Sequence, residues 1–402
     1  MSTADAATAG TGTARTGTAR TGTVGTDVVG TDVVGTDVVG TDVVEFRAGV
    51  RAWLDANDLS PAPGLTFDGQ VAHLGRVRRA LYDAGWMRYG WPAEVGGLGG
   101  PAVLRAVLGE EVATRDLAEP GIYSMIEVLA PTMISYAPPE LAAEMVPRLL
   151  NGDEQWCQGF SEPESGSDLA SLSTRAEPRG DDWVVNGQKV WTSLAQFAER
   201  CVLLTRTAPG HAGITAFFLD MDSPGITVRP LRTMHGVDEF AEVFFDDVVV
   251  PGARMLGRPG DGWRLAMDLL PHERSTCFWH RIAHLYSRLD RLAAETTETD
   301  DAALGAAYLA LHTVRCRSHG TQRRLADGAR LGPETSVDKV LLATAEQHLF
   351  DTARDLLPGV LELDETPWRS DYLYSRAATI YGGTAEIQRN IIARRLLDLG
   401  KE

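Results

Sequence analysis

The chain has 402 residues, of which 44% are hydrophobic and 23% charged, and its formal net charge at pH 7 is −17. It is long enough for two or three packed domains. The negative charge argues against nucleic acid or an anionic membrane surface as a partner, and no apolar run in the sequence approaches the roughly 20 residues of a membrane span.

Compartment and metal content are also constrained by the sequence. The N-terminus lacks the basic-then-apolar order of a secretory signal, so we expect a cytoplasmic protein. The four cysteines lie far apart in the sequence and are expected to be reduced thiols. The nine histidines form no H-E-x-x-H or similar cluster, so no metal site is expected.

Residues 1–44 are of low complexity and contain the pentapeptide GTDVV four times in succession. A period of five matches neither the 3.6 residues of a helix nor the 2.0 of a strand, and a glycine in every unit raises the cost of ordering. We therefore predict a disordered tail. A β-solenoid, the alternative, would need longer repeats and a cap.

The next segment, residues 45–155, changes in character. Apolar side chains recur at helical spacing, for example Phe46, Val50 and Leu54. This spacing predicts an N-terminal helical domain.

Residues 156–260 carry short apolar runs divided by Pro, Gly and Asp. That pattern predicts a β domain of the sandwich or barrel type. Within it, Asn186-Gly187 stands between two runs of valine and tryptophan, which predicts a tight type I′ hairpin at this dipeptide.

After Gly262 the helical period returns and persists to the end of the chain. Several long helices in succession predict a C-terminal helical bundle over residues 261–402. The predicted fold class is therefore α+β, with a helical domain, a β domain and a bundle in that order.

Four segments resemble, in order, the signatures of the acyl-CoA dehydrogenase family of flavoproteins. They are WCQGFSEPESGSDLASLSTRA, VVNGQKVWTS, EVFFDDVVVPGARMLG and IYGGTAEIQRNIIARRLL. The resemblance covers about residues 45–402 and implies FAD bound where the β domain meets the bundle. It also implies α,β-dehydrogenation of an acyl thioester, on CoA or a carrier protein, to the trans-2-enoyl product, with an electron-transfer flavoprotein as acceptor.

The loop GFSEPESGSD offers backbone N–H groups and small hydroxyls that could approach the polar edge of a flat ring. On composition alone, an ordinary solvated turn is the better interpretation. The resemblance implies contacts to the flavin, and at Ser167 also to the thioester, from this loop and the following strand: Gln158, Phe160, Ser161, Gly166, Ser167, Trp191 and Ser193. For Trp191, a core position in the hairpin is the alternative.

The stretch IYGGTAEIQRN reads as a glycine turn that feeds a helix. Gly382 and Gly383 permit a sharp bend, and Thr384 can cap the helix, whose N-terminal N–H groups attract an anion. The resemblance implies that Tyr381 and Gly382 border the substrate. It implies flavin contacts from Thr384, Glu386 and Gln388, although a helix start buried between subunits would explain the last two equally.

In much of that family, the residue at the position of Gly382 is a glutamate that removes the α-proton, and here it is missing. A subset of the family places the glutamate on the first long helix after the sheet, where LLPHERST offers Glu273. Burial beside flavin and acyl chain would raise the pKa of this carboxylate and make it a better proton acceptor. Glu273 is therefore the candidate base, with Arg274 at the substrate site, and the N–H of Gly382 could still bind the enolate oxygen.

Without the resemblance, an exposed Glu273 paired with Arg274 or Arg281 would be the better interpretation. Loss of a side chain at position 382 makes room and favours a branched, cyclic or otherwise bulky acyl group. The acyl group itself cannot be derived from the sequence.

A further departure concerns a segment of the bundle. The family usually carries an Arg-Lys-Gln-Phe-Gly-like sequence there, whose arginine reaches the flavin of a neighbouring subunit, whereas this chain has SRLDRLAAETTETDD. The resemblance implies a homodimer or homotetramer, or a heterotetramer with a homologous subunit. The alternatives are a low-activity partner subunit, a flavin oxidase or monooxygenase on the same fold, and a thioester-binding protein without flavin.

Overall fold

The computed structural model describes residues 43–296, 301–362 and 366–400. Nearly all of the predicted tail lies outside these residues. The first helix begins at Val43, two residues before the expected start of the helical domain. Its buried residues include Phe46, Val50 and Leu54, so the predicted apolar face is confirmed.

The N-terminal part of the described chain is helical. Its helices are α1 Val43–Ala56, α2 Phe67–Asp83, α3 Val103–Thr114, α4 Pro120–Tyr123, α5 Ile126–Tyr136 and α6 Pro139–Leu150. The hydroxyl of Thr66 caps α2 by accepting from the N–H of Gly69 at 3.2 Å. The apolar core of these helices continues onto Trp156 and Phe218 of the sheet, and onto Leu265 behind it.

The middle of the chain forms a branched sheet. Its strands are β1 Trp156–Gly159, β2 Arg175–Arg179, β3 Asp182–Ser193, β4 Arg200–Arg206, β5 Ile214–Asp220, β6 Ile226–Leu231, β7 Phe240–Pro251 and β8 Met255–Leu256. The strand order is β6-β7-β3-β2-β4-β5-β8, and β1 lies parallel to β4 on a branch. The predicted β domain is thus confirmed as a fold.

The hairpin predicted at Asn186-Gly187 is wrong. Both residues lie inside the single strand β3, where the register with β7 shifts between Val185 and Gly187. Asn186 stabilises this bulge because its side chain bonds Asp247 at 2.9 Å and accepts from the Asp247 N–H at 3.0 Å. The turn of the hairpin is instead Gly180-Asp181, between Arg179 and Asp182.

Gly187→Ala is expected to lower the free energy of unfolding by about 2 kcal/mol or more. A Cβ at this position would stand 2.6 Å from the backbone of Thr174, and the φ of Gly187 is 150°. Gly180→Ala is the matched control, since its φ is 65° but no atom lies within 4 Å of its Cβ. Urea denaturation of both variants measures the difference, and equal losses would show that the backbone at Thr174 yields.

The C-terminal part of the described chain is helical again. Its helices are α7 Gly262–Glu273, α8 Thr276–Glu295, α9 Asp301–Ala326, α10 Thr335–Leu356, α11 Pro367–Ser375 and α12 Ala385–Ile391, followed by a π-helical turn over Ile392–Leu396. Leu311 and Leu349 lie in a separate core between α8, α9, α10 and α11. No helix in the described ranges is long and apolar enough to cross a bilayer.

The long helical run that begins at Gly262 is divided. Ser275, with φ −117° and ψ −95°, separates α7 from α8, and its N–H and hydroxyl both bond the carbonyl of His272. Glu273 is consequently the last residue of α7, and Arg274 lies in the break. This break brings Glu273 and Arg274 towards the glycine turn that precedes α12.

Candidate active site

The carboxylate of Glu273 lies directly against the backbone of Gly382. A Cβ placed on Gly382 would stand 2.8 Å from Oε1 of Glu273, and the φ of Gly382 is 63°. A side chain from position 382 and the carboxylate of Glu273 therefore reach the same point in the fold. Glu273 thus occupies part of the space beside Gly382, and the expectation of a bulky acyl group stays a prediction.

Two side chains fix the glycine turn from the other side. Arg274 Nε donates to the carbonyl of Gly382 at 3.1 Å, and Gln388 Nε2 donates to the same carbonyl at 3.3 Å. A Cβ on Gly383 would stand 2.2 Å from Gln388 Nε2. The second glycine is therefore needed for this close approach as well as for its φ of 93°.

Lys339 of α10 completes the cluster, and the sequence analysis missed it. Its ammonium donates to the carbonyl of Ala378 and lies 4.4 Å from the ring centroid of Tyr381. Its Cε would be 3.5 Å from a Cβ on Gly382. The sequence held one sign of this lysine: it shares the buried side of a helix with the apolar residues Leu342 and Ala343.

The environment of Glu273 sets its protonation. Burial raises the pKa of this carboxyl above its ordinary value, while Arg274, Lys339 and a hydrogen bond from Gln158 lower it, and the net direction is upward. Burial lowers the pKa of Lys339 to about 8, although Glu273 and Glu346 act in the opposite direction. A carboxylate of this kind is a stronger proton acceptor than an exposed one.

The loop after β1 is supported from beneath by a buried ion pair. Lys189 Nζ donates to Glu162 Oε1 at 2.8 Å and to the carbonyl of Phe160 at 3.0 Å. Although burial raises the pKa of Glu162, Lys189 and hydrogen bonds from the following segment lower it to about 2. The carbonyl of Ser161 accepts from Val190 N at 2.9 Å, so this loop is held beside the end of β3.

Trp191 is held in a strained backbone conformation on the surface. Its φ is 58°, it lies where β3 shifts register against β7 between Lys189 and Thr192, and it is 61% exposed. Its ring packs edge-on against Phe240, with the centroids 5.9 Å apart. The alternative interpretation, a core position in the hairpin, is contradicted by this exposure, and a bulky residue at positive φ is typical of a functional site.

Three buried polar atoms on the surrounding elements have no hydrogen-bond partner among the described residues. They are Gln158 Oε1, Thr192 Oγ1 and Gln388 Oε1. Buried polar atoms in folded proteins are normally satisfied. Gln158 also bonds Glu273, and Gln388 also bonds the carbonyl of Gly382, so the first and last of these atoms belong to side chains of the cluster around the glycine turn.

The remaining predicted residues are placed as follows. The hydroxyl of Thr384 accepts from Ile387 N at 3.3 Å, which confirms the helix cap. Glu386 faces solvent, with its carboxylate 3.9 Å from Arg389, and Gly166 and Ser167 are exposed. Ser193 is half-buried at the end of β3. Their roles as ligands of a flavin therefore stay predictions.

Comparison with known proteins places the chain in a family. The family model described as the acyl-CoA dehydrogenase N-terminal domain matches residues 42–153, that of the middle domain matches 157–248, and that of the C-terminal domain matches 260–397. The chain belongs to the acyl-CoA dehydrogenase family. It is therefore an oxidoreductase of a flavoprotein family that acts on acyl-CoA.

Individual relatives agree over most of the chain. Acyl-CoA dehydrogenase IpdE1 of Mycobacterium tuberculosis is 40% identical over 381 residues, which is 89% of this chain and 98% of IpdE1. The ChsE4-ChsE5 complex of the same organism superimposes with a TM-score of 0.76 at 26% identity, covering 90% of this chain and 100% of that one. A variant of the Tcur3481-Tcur3483 steroid ACAD gives 0.77 at 25% identity, covering 90% and 99%.

The residues at the junction fit the flavin that this family binds. The orphaned Gln158 Oε1 and Gln388 Oε1 are hydrogen-bond acceptors, and the ring N–H at the polar edge of an isoalloxazine is a donor that suits such an acceptor. The exposed Trp191 offers a flat apolar face.

Proposed function

We propose that this chain catalyses the α,β-dehydrogenation of an acyl-CoA thioester to the trans-2-enoyl thioester, with Glu273 as the base. The observation that carries the proposal is the approach of Glu273 Oε1 to the backbone of Gly382. The carboxylate accepts the proton that leaves the α-carbon. The N–H of Gly382 is the proposed donor to the thioester oxygen, where negative charge develops as the proton leaves.

The proposed cofactor is FAD. When bound, it supplies the acceptor for the hydride that leaves the β-carbon. The residues that would hold it are Gln158, Phe160, Ser161, Trp191, Ser193, Thr384 and Gln388, and an electron-transfer flavoprotein is the proposed reoxidant. Arg274 follows the base directly, and its hydrogen bond to the carbonyl of Gly382 at 3.1 Å holds this end of α7 against the glycine turn.

Anaerobic addition of acyl-CoA thioesters to the purified protein tests the activity. Bleaching of the flavin absorption and formation of the enoyl product support the proposal, and bound flavin that no thioester reduces would contradict it. Peroxide released rapidly in air, without an added acceptor, would point instead to an oxidase.

Trp191→Ala is expected to raise the dissociation constant for FAD by roughly tenfold, because stacking on an aromatic ring contributes about 1.5 kcal/mol. The melting temperature of the flavin-free protein should change little, since Trp191 is 61% exposed and alanine adopts the same φ at a similar cost. Flavin titration and thermal melting measure the two effects. Met234→Ala, at another exposed apolar residue, is the control.

A second proposal is that the chain assembles with a homologous subunit. The segment SRLDRLAAETTETDD contains two arginines, and both form ion pairs within this chain. Arg288 Nε lies 2.7 Å from Asp371, and Arg291 Nε lies 2.6 Å from Glu295. Two of the similar solved structures carry paired names, ChsE4-ChsE5 and Tcur3481-Tcur3483. Native mass spectrometry with and without a co-expressed homologous chain, read together with flavin content, tests this assembly.

A further inference from the structure

Lys339 lies on the face of α10 that packs beneath the glycine turn. It is 2% exposed. The turn meets it at three points: the carbonyl of Ala378, the ring of Tyr381, and the open side of Gly382, where a Cβ would stand 3.5 Å from Lys339 Cε. A single side chain on α10 therefore contacts the turn at three of its residues, and one of these, Gly382, also faces Glu273.

Burying an ammonium group raises the free energy of the folded state, and the contacts of Lys339 offset this desolvation cost only in part. Removing a cation from water costs several kcal/mol unless a charged partner and hydrogen bonds replace the hydration shell. Its direct partners are a backbone carbonyl and an aromatic ring. A residue such as methionine would fill the same space without this cost, which suggests that the charge has a use.

The acidic groups near Lys339 indicate that use. Glu273 and Glu346 are the carboxylates whose charges act on it. Glu346 is already engaged by Arg281 of α8, whose Nη2 and Nε lie 2.8 and 3.2 Å from its oxygens. Glu273 is then the carboxylate that remains for the charge of Lys339.

Other groups face Glu273 from the elements packed around it. Arg274 follows it in the break after α7 and is committed to the carbonyl of Gly382, Gln158 approaches from β1, and Cys277 approaches from α8. Arg274 and Lys339 both favour the ionised form of Glu273, against the effect of burial. The cysteine is half-buried and neutral, because burial raises its pKa well above the ordinary value.

We propose that Lys339 is a positioning residue for the dehydrogenation: its ammonium holds the turn at residues 378–383 against α10 and keeps the Glu273 carboxylate ionised beside Gly382. The proposal rests on the function proposed above for Glu273. The two halves of the role depend on different properties of the ammonium: the hydrogen bond to Ala378 needs only a donor, whereas the effect on Glu273 needs the charge.

Three substitutions separate these roles. Lys339→Met removes both donor and charge, Lys339→Gln keeps a donor for Ala378 without the charge, and Lys339→Arg keeps the charge. The first readout is a ¹³C titration of glutamate-labelled protein, in which the Glu273 carboxyl signal is identified by its loss in Glu273→Gln. The pKa of Glu273 should rise by about one unit in the Met and Gln variants and remain near the wild-type value in the Arg variant.

The second readout is the pH profile of kcat/KM. The acidic limb should move to higher pH in Lys339→Met and Lys339→Gln, so that the rate falls about tenfold on the acidic side and recovers at high pH. Lys339→Arg should restore the limb. Thermal melting of Lys339→Met should stay close to wild type, because the gain from removing a buried charge offsets the loss of the hydrogen bond to the carbonyl of Ala378.

A Glu273 titration that is the same in wild type, Met and Gln variants would overturn the proposal. So would a loss of activity by the same factor at every pH, which is the result expected from a structural role alone. Failure of the proposed function is distinguishable, because full activity of Glu273→Gln would refute the base while the carboxyl titration still tests the effect of Lys339.

Discussion

Glu273→Gln is expected to lower the rate of flavin reduction by acyl-CoA by roughly 10²- to 10⁴-fold, the usual contribution of a positioned general base. Glutamine is nearly isosteric with glutamate, so the contacts of this end of α7 with Gly382 and Gln158 are largely retained. The amide cannot accept the α-proton. Stopped-flow measurement of flavin bleaching under anaerobic conditions gives the rate, and the oxidised flavin spectrum shows that the cofactor is retained.

Asp268→Asn is the matched control for this substitution. Asp268 lies on the same helix, accepts from the hydroxyl of Tyr136 at 2.5 Å and pairs with Arg330. Its replacement should change the rate of flavin reduction by less than about threefold, because surface pairs contribute little. Equal rates in wild type and Glu273→Gln would show that another group removes the proton.

The pH dependence of the wild type follows from the same geometry. The base works only when ionised, and burial raises the pKa of Glu273 above the ordinary value of a glutamate. The rate of flavin reduction should therefore rise with pH through an acidic limb that lies above the usual range for glutamate. This limb should be absent from the residual activity of Glu273→Gln.

Much of the fold follows from local sequence pattern. Helical spacing located α1 and the bundle, and the short apolar runs located β4, β5, β6 and β7. The period of apolar residues fixes which face is buried, and this is enough to separate helices from strands. It does not show where a long helical run breaks, because the break at Ser275 depends on hydrogen bonds to His272.

The failed hairpin shows the limit of dipeptide signals. Asn-Gly is favoured in type I′ turns because both residues tolerate positive φ, and the same tolerance serves a bulge. At Asn186-Gly187 the deciding contacts are Asp247 of β7 and Thr174, which come from distant parts of the sequence. No single-segment pattern contains that information.

Only part of the site was predicted, because its remaining contacts also come from distant parts of the sequence. Family resemblance pointed to Glu273, Arg274, Gly382 and Gln388, and the fold brings these residues together. Lys339 was missed because it lies in the middle of a long helical pattern. A functional role for a charged residue there can be seen only when the residues that contact it are known. The contacts of Glu386 lie on the surface of this chain, so its predicted role would have to involve a group or subunit outside it.

Gly382→Ala is expected to lower the rate of flavin reduction by roughly 10- to 100-fold, because a misplacement of about 1 Å at a reacting group can cost 10²-fold. The new Cβ would stand 2.8 Å from Glu273 Oε1, closer than van der Waals contact allows, and the flexible carboxylate would move away. The φ of 63° adds a backbone cost of about 1 to 2 kcal/mol.

Gly328→Ala separates the backbone cost from the displacement of the base. Gly328 has a similar φ of 74°, but no atom lies within 4 Å of its Cβ. Both variants should lose a similar amount of thermal stability, and only Gly382→Ala should lose activity. In the Glu273→Gln background the effect of Gly382→Ala on the rate should shrink, since no base remains to be displaced. Additive losses in that double variant would mean that the alanine acts on the turn or the substrate rather than through Glu273.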